Sequence, residues 1–211
     1  MFTLLIGNKN LSSWSLRPWL VLKMLDEPFE EQKIDLRAAD AAEQIRVFNP
    51  AGKVPLLYDR NLRIGDSLAI CEYLAECFPH ARLWPQGSAE RAQARSVVAE
   101  MHSGFPTLRQ AMPFDICGRH ATPPLTAELQ RDIHRVLEIW QSLRQQHEAD
   151  GPFLFGHFTL ADAFFAPVVT RFVSYDYVLT GLAEQYAEHM LSLPAMQQWI
   201  REAEAETALA R

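Results

Sequence analysis

The chain has 211 residues, 48% of them apolar and 22% charged, with a formal net charge of -6. That profile fits a folded protein of one large or two small domains, and it lacks the basic face expected of a nucleic-acid binder. No apolar run reaches the roughly eighteen residues needed to span a bilayer, and the start, MFTLLIGNKN, has neither the length nor the preceding basic residues of a signal peptide.

Phe2 to Ile6 is a short β-prone run ending at Gly7. Leu16, Trp19, Leu20, Lys23 and Met24 then recur at helical spacing, so residues 15–26 read as an amphipathic helix. Pro18 falls in its first turn or so, where a missing N–H is tolerated. Asp26-Glu27-Pro28 breaks it, a strand follows over 29–34, and 40–48 reads as a weaker helix. Asn49-Pro50-Ala51-Gly52 is a turn. Strands over 54–58 and 62–64 form a hairpin about Asp59-Arg60-Asn61. Asp66-Ser67 caps the next helix, which carries Leu68, Ile70, Cys71, Tyr73 and Leu74.

Pro79 and the stretch Trp84-Pro85-Gln86-Gly87-Ser88 interrupt this pattern. Beyond them residues 88–112, 125–149, 159–174 and 193–206 are helical in pattern, broken at prolines, and no strand signal stands out. The expectation is an α+β chain of two domains, 1–82 mixed and 88–211 all-helical.

Cys71, Cys77 and Cys117 form no CxxC pair, which fits a reducing cytoplasm better than a disulfide scaffold. The seven histidines are scattered without zinc-ligand spacing, so no metal is expected.

Three stretches carry candidate chemistry. In "NKNLSSWSLRPW", residues 8–19, Ser12, Ser13 or Ser15 can cap the helix that follows. The same helix terminus favours an anion, and a hydroxyl there can donate to a ligand thiolate or carboxylate. No Gly-rich phosphate loop and no GxSxG elbow accompanies these serines. In "NPAGKVP" the plain reading is a turn entering a strand. The alternative is a cis Val54-Pro55 bond that turns backbone groups toward a peptide-like ligand. Asp66-Ser67 is a helix cap that could also bind a carboxylate, with Asp66 accepting from an ammonium.

In this order the stretches resemble the glutathione transferase family, with a thioredoxin-like βαβ-α-ββα domain and then an all-helical one. "NPAGKVPLL" is similar to the family's cis-proline segment, and "DSLAICEYLAE" to its acidic-Ser helix start. "GHFTLADAFFAP", residues 156–167, resembles its core-helix capping box, with Thr159 and Asp162 as structural partners. "SSWSLR" resembles the Ser-Ser-Cys-Ser-x-Arg signature of the zeta class, with Trp14 in place of the cysteine. That departure puts maleylacetoacetate isomerisation in doubt, and it argues against glutaredoxin-like chemistry, which needs a thiol in this loop.

The resemblance implies glutathione as co-substrate. Ser12, or Ser13 as the alternative, would donate to its sulfur and favour the thiolate, and Arg17 would add positive charge or pair with a carboxylate of its own domain. Val54 would pair with the cysteinyl backbone beside a cis Pro55, Asp66 and Ser67 would hold the γ-glutamyl end, and Lys53 would reach the glycyl carboxylate. Met101, Phe105, Arg109, Met112 and Phe114, placed on the fourth helix, are the candidates for an electrophile pocket. Taken singly, each reads first as helix core or subunit contact. Arg109 facing the cleft would favour an acidic electrophile. A cytoplasmic homodimer is implied, with no nucleic-acid or membrane partner. The function implied is conjugation of the glutathione thiolate to small electrophiles. The alternatives are a glutathione-dependent cis–trans isomerase of the maleylacetoacetate type and a non-catalytic glutathione-binding module.

Overall fold

The computed structural model describes residues 1–209. Strands β1 (Phe2–Ile6), β2 (Phe29–Lys33), β3 (Leu56–Asp59) and β4 (Leu62–Gly65) form one sheet in the order β2-β1-β3-β4. β1 is parallel to β2 and antiparallel to β3, and β3 is antiparallel to β4. The parallel pair requires a crossover, which helix α1 (Ser13–Met24) provides. Side chains alternate across the sheet with period two. Leu4, Ile6 and Leu57 enter the large core, while Leu5, Leu56 and Ile34 meet Ala41 and Ile45 of α2 (Ala41–Phe48) in a smaller one.

The remaining helices are α3 (Ser67–Cys77), α4 (Ser88–Ser103), α5 (Pro106–Ala111), α6 (Ala127–His147), α7 (Leu160–Ser174), α8 (Gly181–Ser192) and α9 (Pro194–Leu209). α1 packs against α3, α7 and α9, so residues from Ser15 to Leu22 are buried on every side of it. α7 is buried almost throughout and forms the axis of the helical half. One continuous apolar cluster runs from Leu4 to Ala203, so both halves of the chain share it.

Polar contacts tie those halves together. Lys9, 3% exposed, places its ammonium between Glu31 and Glu202 and over the rings of Trp19 and Trp199. The Trp199 indole donates to the Lys9 carbonyl at 3.0 Å. In the linker, Leu160 N–H donates to the Leu83 carbonyl at 2.9 Å, and Trp84 Nε1–H to Glu72 at 3.0 Å. The expected capping box is present: Asp162 accepts from Thr159 N–H at 2.8 Å and from Leu154 N–H at 3.0 Å.

Several expected boundaries move. α1 begins at Ser13 rather than 15, because Ser12 caps it, so Pro18 is its sixth residue rather than its fourth. β3 begins at Leu56 rather than 54. The 88–112 segment is two helices, parted at Gly104 and Phe105, the latter at φ 59°. α8 was not expected, nor were the isolated bridges at 153–157. The last two positions of the expected 88–211 unit lie outside the described residues.

Candidate active site

A cavity of about 830 Å³ opens where α1, the Val54–Pro55 turn and α3 meet. Its floor is the turn after α2. Asn49 organises that turn by donating to the Lys53 carbonyl at 2.7 Å and accepting from Ala51 N–H at 3.1 Å, while Gly52 takes φ 66°. Only glycine adopts that backbone region without cost. Lys53, Val54 and Pro55 then line the cavity in sequence, with a cis Val54–Pro55 peptide bond. Because β3 starts at Leu56, Val54 lies outside the sheet ladder.

The far wall is the head of α3. Asp66 caps it from φ 74°, accepting with Oδ1 from Leu68 N–H at 2.8 Å and Ala69 N–H at 3.3 Å. Ser67 is 1% exposed and lines the cavity, yet its hydroxyl is buried without a hydrogen-bond partner among the described residues. Leaving a buried hydroxyl unmade costs about 1–3 kcal/mol, so an orphan at a cavity wall points to a group supplied by a ligand.

The opening serines lie just behind this wall. Ser12 and Ser13 are buried at 4% exposure, and Trp14 forms the cavity surface instead of either. Gly7 N–H donates to Ser15 Oγ at 3.2 Å, and Ser15 Oγ lies 2.7 Å from Ser12 Oγ, which also accepts from Ser15 N–H. If Ser15 donates within that pair, the Ser12 proton is left for a ligand.

Arg17 does not pair with a carboxylate of its own domain, which was one of its two expected roles. Its guanidinium is wholly buried between the rings of Trp14 (4.3 Å) and Phe164 (4.5 Å), and all three nitrogens lack partners among the described residues. Burial, together with the nearby Arg109 and Arg171, pulls its pKa down to about 9.

None of the residues expected to form the electrophile pocket lines this cavity. Met101 (α4), Phe105, Met112 and Phe114 are buried in the main core. Arg109, on α5, donates to the carbonyls of Met101 and Gly104 and lies 4.9 Å from the Trp14 ring, so it closes the break between α4 and α5. The inward face of α4 is set by its packing on α7, and one residue of helix is a turn of 100°. Met101 therefore enters the core while its neighbour His102 reaches the cavity.

His102 and Trp14 are thus, with Leu36, Ile45 and Gly65, among the wall residues that sequence reasoning missed. The His102 and Trp14 rings meet edge to face at 5.3 Å, and His102 Nε2 is 3.4 Å from Asp66 Oδ2. Burial, opposed by Asp66, lowers the pKa of His102. The substitution of Trp14 into a Cys-containing signature was the available signal for one of them; His102 had none. Among the described residues no group of three acidic, His or Cys side chains is arranged for a metal, and no helix is long and apolar enough to cross a membrane.

The profile of the glutathione S-transferase N-terminal domain matches residues 11–77, and that of the glutathione S-transferase C-terminal domain matches residues 123–202. A probable maleylacetoacetate isomerase of Caenorhabditis elegans is 38% identical over 96 residues, 46% of this chain and 44% of that protein. The matched stretch is therefore less than half of that relative's length. Probable maleylacetoacetate isomerase 1 of Drosophila melanogaster is 30% identical over 173 residues, covering 80% of this chain and 68% of that one. A stringent starvation protein A homolog of Haemophilus ducreyi is 27% identical over 177 residues, 84% and 78% of the two chains. In fold, the chain is similar to a glutathione transferase homolog from Burkholderia gl BGR1 solved with bound glutathione. The TM-score is 0.72 at 24% identity, over 97% of this chain and 98% of that one.

Proposed function

The chain belongs to the glutathione S-transferase family, and on that premise we propose that its cavity binds glutathione and that a serine at the head of α1 holds the sulfur as thiolate. The observation that carries this is Ser67: a buried hydroxyl without a partner at the head of α3, beside an acidic cap. The γ-glutamyl carboxylate would accept from Ser67 Oγ and from the Ser67 N–H that opens α3, which a helix N-terminus favours. The γ-glutamyl ammonium would go to Asp66. The cysteinyl backbone would pair with Val54, and Lys53 would meet the glycyl carboxylate.

At the other end, the Ser12 hydroxyl would donate to the sulfur, with Ser13 the alternative. The positive end of α1 and the Arg17 charge behind Trp14 favour the anion further. Lowering the thiol pKa from about 8.5 raises the nucleophile present at neutral pH. The thiolate sulfur then bonds to an electrophilic carbon, and the leaving group departs with its electron pair. We assign glutathione to the unit before the division near 82–88 and the electrophile to the helical unit after it. A cytoplasmic homodimer is the assembly and setting we assign on family grounds.

A second reading is favoured by the relatives named maleylacetoacetate isomerase. There the thiolate adds to a cis double bond, rotation follows, and elimination returns glutathione. Calorimetric titration with glutathione tests the common premise, and absence of binding at millimolar ligand sinks both readings. Product analysis then separates them, because conjugation consumes glutathione and isomerisation returns it.

A further inference from the structure

The cavity wall draws one side chain from the helical half, His102 of α4, and its placement has a consequence for ligand capture. Asp66 spends Oδ1 on capping α3, accepting from Leu68 N–H and Ala69 N–H. Its other oxygen, Oδ2, is the one left for a cationic ligand group, and His102 Nε2 stands 3.4 Å from it. The imidazole is steadied by the Trp14 ring at 5.3 Å and 83° and by the Phe164 ring at 6.0 Å. His102 Nδ1 is buried without a partner among the described residues. Nε2 and Oδ2 are therefore within ion-pair range with no hydrogen bond formed between them among the described residues, and a tautomer with its lone pair at Nδ1 leaves no N–H unmatched there.

We propose that His102 is a positioning residue for the ammonium end of the ligand, acting through Asp66 Oδ2, and that its protonated form competes with that ammonium. The proposal rests on reading the cavity as a glutathione site. A neutral His102 carries no charge to set against the ammonium and leaves Oδ2 open to accept from it. A charged His102 places a second cation beside the arriving one, and like charges at this spacing repel. The groups facing it are Asp66 at the head of α3, which favours protonation, and Arg17 of α1 and Arg109 of α5, which oppose it. Burial also opposes it, so the imidazole is neutral at pH 7 and becomes charged at more acid pH. Glutathione capture should therefore weaken as the medium becomes acidic.

The test is calorimetric titration of the full chain at pH 5, 6, 7 and 8, with glutathione and with N-acetylglutathione, which has no ammonium. An ion pair as exposed as this one is worth up to about five-fold in affinity. The expected result is a two- to five-fold loss of glutathione affinity from about pH 7 to 5. N-acetylglutathione should keep only the slope that thiol ionisation gives both ligands, and His102→Gln should lower the glutathione slope to that same value. The same slope in His102→Gln, or with N-acetylglutathione on the wild type, overturns the proposal. The second comparison needs no variant, so it stands even where His102→Gln fails to fold. Absence of glutathione binding at every pH overturns the glutathione reading itself, and this proposal with it.

Discussion

The Arg17 guanidinium is held between the Trp14 and Phe164 rings, at 4.3 and 4.5 Å, with no hydrogen-bond partner for any of its nitrogens among the described residues. Each desolvated ring contact offsets about 2 kcal/mol, whereas burying the charge costs several, and Arg109 and Arg171 add repulsion. Arg17 is thus kept at a net cost in stability. Arg17→Met should leave a folded protein more stable by about 1–3 kcal/mol in urea unfolding, while turnover falls. A loss of stability above about 1 kcal/mol would show that the rings satisfy the charge.

Ser67 and Asp66 separate ligand binding from folding at neighbouring positions. Ser67→Ala removes a buried hydroxyl without a partner among the described residues, so stability should hold or rise slightly. Glutathione affinity should fall about ten-fold or more, the worth of a hydrogen bond to a charged group. Asp66→Ala removes the α3 cap, and should cost about 0.5–2 kcal/mol of stability as well as affinity. Calorimetry and thermal melts on the two variants check this; equal affinity in Ser67→Ala would mean that the hydroxyl meets no ligand.

Those two residues were legible in the sequence because a helix head is local chemistry: the cap, the helix and the site share a few consecutive positions. The same holds for Val54-Pro55. The helical half was not legible in the same way. Met101, Phe105 and Met112 were apolar at helical spacing, and such spacing says which residues turn inward, not whether inward means core or cavity. Packing of α4 on α7 decided that, and it gave the cavity to His102. α8 could have been found, since Ala183, Tyr186, Ala187 and Met190 lie on one helical face. Two of the four are alanines, and no proline marks the start, so the signal was faint. Arg17 looked like an ordinary ion-pair partner because no sequence pattern shows that its neighbours in space are two aromatic rings and two more arginines.

The two opening serines divide by the same logic. Ser12 caps α1 and bonds to Ser15, so Ser12→Ala should cost about 1 kcal/mol of stability. If its free proton serves the sulfur, turnover of a chloronitrobenzene acceptor should drop in the same variant. Ser13 sits at the first helical position and does not cap the helix. Ser13→Ala should keep its stability within about 0.5 kcal/mol. Full turnover in Ser12→Ala with loss in Ser13→Ala would move the sulfur donor by one residue.

Asp162 gives a prediction in pH. Its carboxyl is wholly buried at the head of α7, and burial outweighs the bonds from Leu154 and Thr159 to push its pKa up to about 6. The folded chain therefore binds a proton at pH values where the unfolded chain has released it. For an acid raised in this way, the associated stability is complete below the unfolded pKa near 3.8 and is lost as pH rises through about 6. Relative to Asp162→Asn, which cannot titrate, the wild type should lose on the order of 2–3 kcal/mol between about pH 4 and 7. Asp162→Ala should be destabilised at every pH by about 2–4 kcal/mol, because the Leu154 and Thr159 N–H groups then lose their acceptor in a dry core. Urea unfolding at three pH values measures both. Parallel pH curves for wild type and Asp162→Asn would place the folded pKa back in the ordinary carboxylate range, with the hydrogen bonds outweighing the burial.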